Sequence, residues 1–157
     1  MMQAHARRAF SLIELVIVVV IIGIIGAIAI PRMSRGAEGA TDSALVANLA
    51  VLRNAIDLFV TEHEGAYPTA ADVENALLQY SNLAANNYGV KDAPSGRIYG
   101  PYLRAIPPLP VGADKGSTGI AAIAGAGVGW IYDDTTGAIR ANTTTETDAS
   151  GKLYSSY

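Results

Sequence analysis

Glu14 is the residue of this chain best placed to do chemistry. It is the single ionisable side chain in residues 10–30 (FSLIELVIVVVIIGIIGAIAI), and it follows closely on Arg7 and Arg8. A carboxylate at the centre of a membrane helix costs about 3 kcal/mol on insertion scales. The twelve Leu, Ile and Val residues from Leu15 to Ile30 offset this with about −0.3 to −0.6 kcal/mol each, roughly −5 in total. Insertion survives the glutamate, but the buried acid needs a partner. Two other groupings invite a chemical reading. Glu62-His63-Glu64 could form an acid/base cluster, and Asp133-Asp134 could offer oxygen ligands to calcium. The structural readings are plainer: polar neighbours at a helix end are solvated, and paired aspartates belong to turns. With two histidines and no cysteine in 157 residues, no catalytic constellation is expected, and the chain reads as a non-enzyme.

The elements that must position Glu14 begin with the apolar run itself. As a helix, its 21 residues extend about 31 Å, close to the ~30 Å hydrocarbon thickness of a bilayer. It can cross once. A secretory signal peptide would use Ala27-Ile28-Ala29 as its small-x-small cleavage site, and a plain single-pass anchor would be retained whole. Neither reading gives Glu14 a task. Under either of them the remainder would be a secreted or singly anchored binding domain that forms no filament.

Arg7-Arg8-Ala9-Phe10-Ser11-Leu12-Ile13-Glu14-Leu15, with the Val/Ile run and Ile30-Pro31 behind it, resembles the class III leader of type IV prepilins and type II secretion pseudopilins. The resemblance implies that residues 1–9 are a leader removed on the cytoplasmic side. The cut falls between Ala9 and Phe10, and Phe10 is then N-methylated. Glycine usually precedes the cut; Ala9 stands there in this chain. Further implications are a prepilin peptidase/methylase and a pilus or secretion assembly platform as partners. A single-pass, N-inside state in the cell inner membrane would precede assembly, and a homo-oligomeric helical filament, periplasmic or extracellular, would follow it.

Once the cut is made, the α-amine of Phe10, with a reference pKa of about 7.7 to 8.0, is largely cationic at neutral pH. It lies at i−4 from Glu14, on the same helix face. In a bundle the same carboxylate can instead meet the amine of a neighbour shifted along the axis. Either pairing neutralises two charges that are costly alone in hydrocarbon, and a repeated intersubunit pairing would fix register.

The expected fold is α+β and pilin-like, a long N-terminal helix packed on a small antiparallel sheet. Residues 10–31 form the transmembrane or filament-core helix, 32–64 its amphipathic continuation, and 65–157 the globular head. Leu45, Leu49, Leu52, Ile56 and Phe59 recur at helical spacing and predict a core stripe. Pro31 marks a kink between the two helical stretches. Thr69 and Asp72 suggest a capping box for a short helix through Val73, Leu77 and Tyr80. Residues 81–119, rich in Asn, Gly and Pro, read as surface connections. Residues 128–132 and 138–142 predict a hairpin around the loop Asp133-Asp134-Thr135-Thr136-Gly137, with Trp130 as a core anchor. The apolar stretch 119–127 is too short for a second crossing. The polar tail after Asn142 is expected to be exposed and partly mobile. Gly65-Ala66-Tyr67-Pro68-Thr69 and Gly100-Pro101-Tyr102-Leu103 resemble segments of the major pseudopilin. The Asp-Pro-Trp-Gly type segment of that family is replaced here by Ile106-Pro107-Pro108-Leu109-Pro110.

About 120 residues follow Pro31, enough for one compact domain. Formal net charge is −3, and loss of Arg7 and Arg8 with the leader takes it to −5. Nothing in this balance suggests a nucleic-acid surface. Without cysteine, the head must be held by its core.

Overall fold

The computed structural model describes residues 10–157, except for the side chains of 29–38. Ala9 lies outside the described residues, as does the side chain of Pro31. The chain divides into two compact units, one reaching to Ala37 and one comprising Glu38–Tyr157. Helix α1 (Leu12–Glu62) contributes to both, and its helical assignment includes position 31.

In the first unit every Leu, Ile and Val from Leu12 to Ile28 is exposed. A helix that is apolar all round and left exposed by the other described residues needs an apolar surrounding, either lipid or other helices.

In the second unit α1 is amphipathic as its spacing predicts. Leu45, Leu49, Leu52, Ile56 and Phe59 are buried, while Val46, Val51 and Leu58 face outward. By length and hydropathy alone Gly39–Glu62 could also cross a membrane, but a third of its most apolar stretch is buried inside the head. Asp42, Arg53, Asp57 and Glu62 punctuate it as well. It is a core helix. Its end is made by residues in left-handed backbone, Glu64 at φ 56° and Gly65 at φ 88°, with the Gly65 N–H donating to the Val60 carbonyl at 2.9 Å.

Helix α2 (Val73–Leu78) is shorter than expected, and Tyr80 falls outside it. The predicted capping box is not formed. Asp72 is the N-cap but makes no side-chain cap bond, and its carboxylate instead accepts from the Thr69 hydroxyl at 3.0 Å. Tyr80 opens β1 (Tyr80–Ser81), which pairs antiparallel with β2 (Tyr88–Gly89).

The main sheet has the order β3-β4-β5, from β3 (Gly119–Ala121), β4 (Val128–Tyr132) and β5 (Ile139–Ala141). β4 and β5 form the expected antiparallel hairpin, with Trp130 opposite Ala141 and Tyr132 opposite Ile139. These four residues are buried. β3 joins parallel to β4, a pairing the sequence reading did not contain. Parallel neighbours ordinarily need a connection of a dozen or more residues. Here the strand is three residues long, so residues 122–127 suffice for the return, with Gly127 at φ 76°.

Two expectations about irregular regions are corrected. Ile106, Leu109 and Val111 lie in the core, so part of 81–119 is buried wall and not surface connection. The Pro107 carbonyl accepts from Trp130 Nε1 at 2.8 Å, and the Pro108 carbonyl from Asn48 Nδ2 at 3.0 Å. The tail after Asn142 is also docked. Asn142 and Thr143 are buried, and the last residues bond to α1.

Candidate functional site: the amino-terminal helix and its head

At the start of α1, Leu15 N–H donates to the Ser11 carbonyl at 3.2 Å, and Glu14 Oε2 accepts from the Ser11 N–H at 3.4 Å. Ser11-Leu12-Ile13-Glu14 is the S-x-x-E capping pattern, in which the N3 carboxylate reaches back to the N-cap amide. Glu14 therefore caps its own helix, where a negative charge also suits the macrodipole. The sequence reading did not give Glu14 this role, although the S-x-x-E pattern stands immediately before the apolar run. Phe10, four residues before Glu14, is exposed.

His63 does not form an acid/base cluster with its neighbours. It is 2% exposed, with its ring stacked on Phe59 at 3.8 Å between centroids and 8° between planes. Its Nδ1 is 2.8 Å from the Phe59 carbonyl, which can only accept, so Nδ1 carries a proton. Its Nε2 lies 2.9 Å from the buried Ser81 hydroxyl. Glu62 turns away and accepts from the Tyr102 hydroxyl at 2.6 Å; burial first, and this bond second, push the Tyr102 hydroxyl pKa far above its usual range. The expectation of a solvated helix end fails because position 63 continues the core stripe through Ile56 and Phe59.

Asp133 and Asp134 are engaged in the hairpin turn. Asp133 Oδ1 accepts from the Thr135 hydroxyl at 2.5 Å and the Thr135 N–H at 2.9 Å, and its Oδ2 from the Thr136 hydroxyl at 2.9 Å. These donors, the Thr135 hydroxyl foremost, hold its carboxyl below the usual range. Asp134 Oδ2 accepts from the Ala70 N–H at 3.1 Å. Among the described residues no three His, Cys, Asp or Glu side chains gather as a metal site. The turn also needs its glycine, because Gly137 has φ 72° and a Cβ there would lie 2.2 Å from the Tyr67 ring.

The C-terminal segment forms a clasp that the sequence reading missed. Arg53 on α1 donates to the Ile139 carbonyl at 3.3 Å and the Tyr157 carbonyl at 2.6 Å. The Tyr154 hydroxyl donates to Asp42 at 2.8 Å. Asp148 collects the Tyr157 hydroxyl together with Ser150 and the Lys152 N–H, and these donors lower its pKa, Tyr157 most strongly. The same bond pushes Tyr157 up to about 12.

Comparison with known proteins bears on the first of these regions. Residues 4–30 match the family described as the prokaryotic N-terminal methylation motif. The match supports a relation of the amino-terminal segment to type IV pilins and pseudopilins and does not reach the head. The matched residues include Glu14 and the apolar run. No curated protein and no solved structure matches the chain.

Proposed function

We propose that this chain is a structural subunit, cut between Ala9 and Phe10, methylated on Phe10, and assembled through its apolar helix into a type IV pilus or a type II secretion pseudopilus. One observation carries the reading. A helix apolar on every side holds a single carboxylate, four residues from the position where the motif implies a new amine. In the membrane, Glu14 rests on the Ser11 amide or on the amine of its own chain. In the filament it takes the amine of a neighbour, and this exchange selects one axial register. The stability of the head comes from the α1 stripe packed on β4 and β5. The segments 65–69 and 100–103 favour a secretion pseudopilus. The Glu14→Ala variant should insert into membranes at wild-type levels and yield no filaments in shear preparations; filaments at normal yield would refute the role.

A further inference from the structure

Two exposed apolar features lie on different parts of the head. One is a groove of about 410 Å³ whose walls include Tyr80, Val90, Lys91 and Pro101. Val90 is 80% exposed there. The other is Ile123, 78% exposed in residues 122–127, a connection otherwise made of alanine and glycine. Fully burying one such aliphatic side chain is worth about 1.5 to 3 kcal/mol, so each feature gains from being covered.

Their charges are opposite. Lys91 Nζ stands 5.8 Å over the Tyr80 ring, and among the described residues it makes no ion pair. Ala122, beside Ile123, shares a recess with Asp133, Asp134 and Arg140, two carboxylates against one guanidinium. The groove is therefore cationic at its edge, and the flank of the knob keeps a net negative charge. Copies of a chain with net negative charge repel on average, which favours the orientation that brings lysine to aspartate.

We propose that Ile123 of one copy seats in the Tyr80–Val90–Pro101 groove of the next, with Lys91 facing the Asp133-Asp134 turn. The inference rests on the assembly reading above and gives it a contact between heads. Knob and groove are different patches, so the contact is heterologous and propagates as an open array instead of closing as a dimer. One aliphatic knob buries far less than the ~1,600 Å² of a standard interface, so free heads do not associate through it. Helix packing supplies the effective concentration that makes it form.

The chain has no cysteine, so engineered thiols report cleanly. Full-length chain carrying both Val90→Cys and Ile123→Cys, assembled and sheared from cells, is treated with a short bifunctional maleimide. Expected is a ladder of dimers, trimers and longer species from the double variant, and nothing beyond dimer from either single variant. Filaments that form normally but give no ladder overturn the contact. Absence of filaments from the unsubstituted chain overturns the assembly reading, and the contact falls with it.

Discussion

Replacing Glu14 by glutamine separates the two tasks of its carboxylate. A glutamine serves the N3 position of a capping box as a glutamate does, but it carries no charge for an amine. Glu14→Gln should therefore keep the helix start and insertion yet lose assembly, as judged by shear yield beside the alanine variant. Wild-type yield would show that the cap suffices. At His63, truncation removes the Phe59 stack and strands the buried Ser81 hydroxyl. His63→Ala should cost about 2 to 4 kcal/mol in urea unfolding of the full chain in detergent. This residue shows why local composition misleads. Its flanking glutamates suggested solvent, whereas its i+4 spacing from Phe59 placed it on the core stripe. Three carboxylates, Asp133, Glu146 and Asp148, have folded-state pKa values below their ordinary ones because of hydrogen bonds. Their contribution is fully present above the unfolded pKa, about 4, and is lost as pH falls through the folded values. The thermal midpoint of the head should hold from pH 7 to 5 and fall below about pH 4, and Asp148→Asn should flatten that fall.

Elements carrying a strong period were legible, and those fixed by long-range partners were not. The core half of α1 followed from its 3-to-4 spacing, and the β4–β5 hairpin from two β-rich runs around Asp133–Gly137. The capping box at Thr69 failed because the Asp72 carboxylate bonds the Thr69 hydroxyl and makes no cap bond to the helix amides. The parallel β3 has no local signal, since its partner is chosen by tertiary packing. The same holds for the C-terminal clasp, whose polar composition gives no hint that Arg53 and Asp42 await it across more than a hundred residues. Arg53→Ala removes the donor to both Ile139 and Tyr157. It should raise amide exchange across residues 144–157 while leaving the core amides of α1 protected; unchanged exchange there would mean that Tyr154 and Asp148 hold the segment without it.

For the whole molecule, the division of labour lies between a helix whose described apolar side chains are exposed and a head whose sheet carries a side-chain partner on each edge strand. At one margin, Ile120 N–H donates to Glu74 at 2.7 Å; at the other, Arg53 occupies the Ile139 carbonyl. Sheet edges blocked in this way do not recruit strands from other copies. In the proposed filament, assembly falls to the apolar helix, and the proposed contact between heads sets the finer register. This account stands on the leader being cut before the helix and the helix being kept. The most direct test is mass spectrometry of the amino terminus of subunits from sheared surface filaments. The account predicts a terminus at Phe10 bearing one methyl group. A mature protein beginning at or beyond Ile30, recovered as a soluble monomer, would contradict it.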